Sequence, residues 1–134
     1  MKIEKILDKN LILAIIIKDS DWEQGLTFPS SEQDFQQVGL WRYNKGVKLA
    51  PHVHLAEPRN VLRTQEVVFI KKGRMRADIY TENEKFLKSI ELNKGDTAIL
   101  LNGGHGYEIL EDDTMVLEVK NGPYVGSDKE KERI

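Results

Sequence analysis

The chain has 134 residues, 20 of them basic and 22 acidic, for a formal net charge of -2, and it contains no cysteine. That length predicts one domain over residues 1–134 with no room for a second core, and the charge balance leaves no electrostatic footprint for nucleic acid or an anionic membrane. Lack of cysteine excludes disulfide scaffolds, thiolate metal sites and cysteine nucleophiles, while 40% hydrophobic and 31% charged residues describe a folded globular domain.

The opening Met1-Lys2-Ile3-Glu4-Lys5 carries both signs of charge, and no small-residue cleavage site follows the apolar run Leu11–Ile17. That run is far shorter than the roughly 20 residues of a membrane-spanning helix, so no targeting segment is read and a cytoplasmic protein is expected. The run is β-branched and bounded by Asn10 and by Lys18-Asp19, which predicts a buried strand. Ser30–Gln37 has the capping residues of a short helix. Val38–Tyr43 reads as a strand closed by Asn44-Lys45-Gly46, and Pro51–Leu55 as a short extended stretch. Val67–Ile70 runs into the turn Lys71-Lys72-Gly73. Arg74–Tyr80 then alternates, with Met75, Ala77 and Ile79 on one face and Arg74, Arg76, Asp78 and Tyr80 on the other. Phe86–Leu92, Thr97–Leu101, Tyr107–Leu110 and Met115–Lys120 follow, separated by Asn93-Lys94-Gly95-Asp96, Asn102-Gly103-Gly104 and Glu111-Asp112-Asp113. Ser127–Ile134 is a charged tail, solvated or docked at the surface. Short strands at this spacing predict an all-β sandwich or barrel.

The chemistry gathers on few residues. Two of the three histidines form His52-x-His54, and side chains two apart on a strand project to one face. Glu66 shares a strand face with Val68 and Ile70, and a carboxylate on an apolar face is costly unless it is paired or bound to a cation. The third histidine, His105, follows Gly103-Gly104. Three neutral imidazoles and one carboxylate suit a divalent Zn, Fe, Mn, Co or Ni ion. Glu57 is a rival ligand, and a three-histidine set without a carboxylate is an alternative.

The spacings supply a resemblance. Gly46-x5-His52-x-His54 leads to Glu66-x6-Gly73, and Gly95-Asp96-x4-Leu101-Asn102-Gly103-Gly104-His105 comes later. These stretches, about 46–73 and 95–107, resemble the two motifs of the cupin superfamily. The resemblance implies metal ligands at His52, His54, Glu66 and His105, and a small antiparallel jelly-roll barrel with the site in its mouth. Glu66 lies further from His54 than the family pattern places it, which an inserted loop, Leu55–Gln65, accounts for. Leu101 stands where the family usually has proline, and His105 aligns with a one-residue gap. Gly103 through Tyr107, with Val119-Lys120-Asn121-Gly122-Pro123-Tyr124 and Asp128-Lys129, is similar to small single-domain cupins regarded as sugar isomerases and associated with surface-polysaccharide genes.

These readings imply a metal-dependent enzyme for a small polar metabolite, a sugar or sugar acid, with isomerisation- or epimerisation-type proton transfer. Fe(II)-dependent dioxygenase chemistry and a non-catalytic ligand-binding module are the alternatives. Tyr107, Glu108, Tyr43, Gln65 and Arg63 are candidate proton carriers by nearness to the motifs. Arg59 and Arg63 are candidates to clamp a substrate carboxylate or phosphate, whereas Lys71-Lys72 and Arg74-x-Arg76 read as a solvated strand edge neutralised by Asp78, Glu82 and Glu84. A homodimer is expected, because Leu11–Ile17 and Phe69 offer apolar surface that one chain of this size leaves uncovered.

Overall fold

The computed structural model describes residues 2–134. In chain order it contains strands β1 (Glu4–Asp8), β2 (Leu11–Ile17), β3 (Gly25–Thr27), β4 (Leu40–Arg42), β5 (Glu66–Lys72), β6 (Arg74–Tyr80), β7 (Phe86–Asn93), β8 (Thr97–Leu100), β9 (Gly104–Ile109) and β10 (Met115–Lys120), then a single helical turn, α1 (Ser127–Glu130). A 3₁₀ turn at Asp19–Asp21 follows β2. One sheet runs β1-β2-β8-β5-β10, a second β7-β6-β9, and a third pairs β3 with β4. All pairings are antiparallel. The fold is all-β, and the described residues form three separate sheets rather than a closed barrel.

The continuous apolar run of β2 has a simple cause: the strand is covered on both faces. Leu13, Ala14 and Ile16 join Val68, Ile70, Ala98 and Leu100 in facing the second sheet, where Met75, Ala77, Ile79, Ile90 and Leu92 complete the main core. Ile15 and Ile17 point the other way, onto Ile99, Leu101, Leu40 and Trp22. A strand covered on both faces loses the apolar–polar alternation of a one-sided strand. The β1–β2 register shifts between Ile6 and Leu7, leaving Leu13 as the extra residue of a bulge. This surface is therefore buried within a single chain, at 0 to 1% exposure for Leu13 through Ile17; it is not left over for a partner. β6 alternates as its sequence predicts, with Met75, Ala77 and Ile79 buried between half-exposed polar residues.

The structure adds to the sequence reading and corrects it in places. Ser30–Gln37 forms turns and bends instead of a helix. The backbone N–H groups of Phe35 and Gln36 donate to Oε1 of Gln65 (2.7 and 3.1 Å), and the Gln37 side chain takes the Ser31 carbonyl, so helical bonding is pre-empted. Pro51–Leu55 pairs with no strand, which accords with the lack of an N–H on proline. β1 and β3 were not legible as strands. Finally, β9 begins at Gly104 and not at Tyr107. Gly103, at φ +73, makes the turn, where a Cβ would stand 2.3 Å from the Tyr80 carbonyl oxygen. His105 thereby lies inside a strand and shares a face with Tyr107.

Candidate functional site

Glu66 opens β5 on the same face as Val68 and Ile70, and it is 6% exposed. A carboxylate there needs partners, and β9 supplies two. Nε2 of His105 lies 2.9 Å from Oε1 of Glu66, and the Tyr107 hydroxyl donates to the same oxygen at 2.7 Å. The two rings stand 5.3 Å apart. Lys120, paired with Glu66 in the β10–β5 register, adds positive charge nearby and is itself 3.4 Å from Glu118. Burial pushes the Glu66 carboxyl up, but the bonds from His105 and Tyr107 and the charges of His105 and Lys120 outweigh it and hold the group below the usual glutamate value. Tyr107 moves the other way: burial, then the Glu66 charge, hold its phenol protonated beyond the usual tyrosine range. The cluster borders a cavity of about 590 Å³, also lined by Thr64, Tyr80, Glu118 and the chain from Glu130 to Ile134.

The other two predicted ligands lie elsewhere. Every residue from 41 to 63 is exposed, and the stretch from Tyr43 to Gln65 is irregular up to the start of β5. Within it the rings of His52 and His54 stand 5.0 Å apart edge to face, and Nδ1 of His52 is 3.1 Å from the Ala50 carbonyl oxygen. The structure thus brings together Glu66 with His105, and His52 with His54, but does not merge the pairs. No three His, Asp or Glu side chains among the described residues stand close enough to hold one ion. The donor types suit a first-row divalent ion; the cavity as placed presents two of the four donors. Glu57, the rival ligand, is exposed in the same segment.

The remaining candidates separate by their contacts. Gln65 is 4% exposed and fully engaged: besides binding Phe35 and Gln36 it donates from Nε2 to the Leu101 carbonyl (3.2 Å), and its backbone N–H donates to Asn121. It anchors three segments beside the cavity. Glu108 points outward to Arg76 (2.9 Å), away from the Glu66 cavity. Tyr43 is 40% exposed in the irregular segment. Arg59 and Arg63 line a second, adjoining cavity of about 860 Å³, together with Asn102, Asn121 and Lys129. Arg63 donates to the Asn102 side chain and lies 3.6 Å from Glu82, whereas Arg59 reaches only the Glu57 carbonyl (3.3 Å). The solvated strand edge is neutralised as expected by Asp78, but its other partners are Glu91, Glu111, Glu108 and Asp113. Glu82 instead serves Arg63, and Glu84 meets Glu132.

Sequence reasoning missed Lys120, Glu118 and the tail residues as parts of the Glu66 cavity. No local pattern marks them, because strand pairing and the path of the chain after β10 bring them there. Among the described residues no helix is long and apolar enough to cross a membrane. A scan against protein-family models, a search of curated proteins and a search of solved structures each found no match.

Proposed function

We propose that the protein is a small single-domain cupin of jelly-roll type that holds one divalent transition metal and acts on a sugar or sugar-acid metabolite by isomerisation- or epimerisation-type proton transfer. The observation that carries this reading is the buried Glu66 carboxylate, engaged by His105 and Tyr107 at the edge of a cavity whose volume suits a small metabolite. His52 and His54 are the further ligands. They alternate with Val53 and Leu55, each 81% exposed. A bound ion would supply Lewis-acid polarisation of substrate oxygens. The chain's own residues hold and move the proton. With Glu66 and His105 on the ion, Tyr107, whose hydroxyl donates to Oε1 of Glu66 at 2.7 Å, is the residue in place to hold a proton beside the substrate. Arg59 and Arg63 border the adjoining cavity, where an anionic substituent of the metabolite would lie.

The decisive experiment is elemental analysis of protein purified without chelator, repeated with His52→Ala and His105→Ala. One ion per chain in the parent and loss in both variants is expected; stoichiometric metal in both variants overturns the ligand set. Iron with oxygen uptake on substrate would replace proton transfer by dioxygenase chemistry. Silence of the metal-loaded protein toward sugar acids and sugar phosphates would favour a binding module. A homodimer belongs to the same reading. Met115, Leu117 and Val119 are 40, 59 and 47% exposed on one face of β10, an edge strand of the largest sheet. Sedimentation at the mass of one chain removes it.

A further inference from the structure

The strands that end the two larger sheets differ in what they present to water. β1, at one end of the five-stranded sheet, carries Glu4, Lys5 and Asp8, and β7, at one end of the three-stranded sheet, carries Lys88 and Glu91. Charges of this kind keep a sheet edge from pairing with another chain. β9, at the other end of the three-stranded sheet, borders the Glu66 cavity. β10 has β5 on one side and no strand among the described residues on the other. Its inward positions are occupied: Val116 packs on the main core, and Glu118 and Lys120, 3.4 Å apart, line the Glu66 cavity. Its outward positions are Met115, Leu117 and Val119, at 40, 59 and 47% exposure, with no charge among them. Leu117 stands beside Phe69 and Val119 beside Val67 in the β10–β5 register, so the apolar strip continues onto β5.

This edge is complementary to itself. Side chains directly opposite one another in an antiparallel pair share a face. A continuous apolar face across two copies therefore sets odd-numbered residues of one β10 opposite odd-numbered residues of the other. With Leu117 opposite Leu117, Met115 meets Val119 at both ends, Glu118 falls opposite Val116, and Lys120 falls opposite Thr114. A slip of one face-repeat in one direction sets Glu118 against Glu118, where like charges destabilise the pair. The same slip in the other direction sets Val119 against Asp113. Of these three registers, the one centred on Leu117 matches apolar with apolar and keeps like charges apart. A net charge of -2 per chain adds little repulsion.

We propose that β10 pairs antiparallel with β10 of a second copy of this chain, about a two-fold axis through Leu117, joining the two five-stranded sheets into one. The match of the strand with its own reverse selects a second copy over any other partner. A contact that uses the same patch on both chains closes at two, and the charged edge of β1 opposes growth from the far side of the sheet. The inference deepens the homodimer of the proposed function and rests on that part of it; the metal plays no role.

The chain contains no cysteine, so an introduced one reports contact between copies alone. Opposite residues of an antiparallel pair have Cα atoms about 4.5–5.5 Å apart, within the span of a disulfide. Leu117→Cys, treated with oxidised glutathione, is expected to double in mass on a non-reducing gel. Met115→Cys and Val119→Cys each hold their own two copies about 13 Å apart along the pair, and each is expected to remain a single chain. The double variant Met115→Cys/Val119→Cys is expected to cross-link. Phe86→Cys, at a position on β7 as exposed as Leu117, measures chance collision. Leu117→Lys is expected to lower the sedimenting mass from two chains to one with the thermal transition kept. Cross-linking of Leu117→Cys no faster than that of Phe86→Cys overturns the pairing. A double variant that stays single overturns it as well, as does a Leu117→Lys protein that still sediments as two chains. A parent at the mass of two chains without the Leu117 cross-link pairs through another surface, which sinks this interface and leaves the homodimer; a parent at the mass of one chain removes both. None of the substituted residues is a proposed metal ligand, so the result stands apart from the metal reading.

Discussion

Two histidine-bearing regions of this molecule are held in opposite ways. On β9, His105 stands in a strand paired along its length with β6, and its ring meets a carboxylate that the β5 backbone fixes among buried apolar residues. In the stretch from 43 to 65, His52 and His54 sit on backbone that belongs to no sheet, beside Val53 and Leu55 in open water. The first region has a buried charge whose partners are all supplied; the second has apolar side chains whose partners are not. The contrast teaches that sheet pairing places one half of a dispersed set of residues rigidly, while the other half rests on backbone that no sheet holds.

Mutations sharpen the contrast. The largest effect is expected at Ile70→Ala, which empties a position that is 0% exposed on the same strand face as Glu66. A loss of about 2–5 kcal/mol is expected in denaturant unfolding. Next comes Tyr107→Phe, which removes a donor from a buried carboxylate. A loss of about 1.5–3 kcal/mol, with His105 still paired, is expected in the same measurement. Gly73→Ala strains the β5–β6 turn, where φ is +86 and a Cβ would stand 2.2 Å from the Thr114 hydroxyl. About 1–3 kcal/mol and a lower melting temperature are expected.

The acid limb of stability probes the rigid half by another route. Arg76 grips Asp78 through two bonds of 2.9 and 3.0 Å, and Ser89 adds a third at 2.6 Å, so the Asp78 carboxyl lies below the usual aspartate value. A carboxyl lowered on folding contributes stability above the ordinary aspartate range and loses it as pH falls through the folded value. Melting temperatures followed from neutral to acid pH are expected to fall less steeply for Asp78→Asn than for the parent. The smallest effect is expected at Leu55→Ala, within about 0.5 kcal/mol in metal-free protein. A change as large as that at Ile70 would show that the segment from 43 to 65 is already packed, and would erase the contrast.

Much of the scaffold was legible because strand signals are local. Leu11–Ile17, Arg74–Tyr80 and Met115–Lys120 form strands with the predicted bounds, since β-branched composition and flanking turn residues act within a few positions. Glu66 was legible as a buried carboxylate from its place in the alternation with Val68 and Ile70. β1 was not, because its five residues bury a single side chain, and β3 was not, because its three residues become a strand only through β4, distant from it in sequence. The candidate helix at Ser30–Gln37 failed for the same reason: its capping residues were read correctly as polar groups near backbone donors, but Gln65, which claims those donors, cannot be seen from the segment itself.

The sequence by itself determined the all-β class, the buried face of β6, the strand at Leu11–Ile17, and the need of Glu66 for a partner, because β-branched runs, period-two alternation and the cost of an unpaired carboxylate are properties of a few consecutive residues. Only the tertiary structure decided that His105 and Tyr107 are those partners, that Gln65 is an anchor, and that the chain's last residues border the cavity. Those outcomes depend on which strands pair and where the chain runs after its last strand, and such long-range choices are set by the whole core.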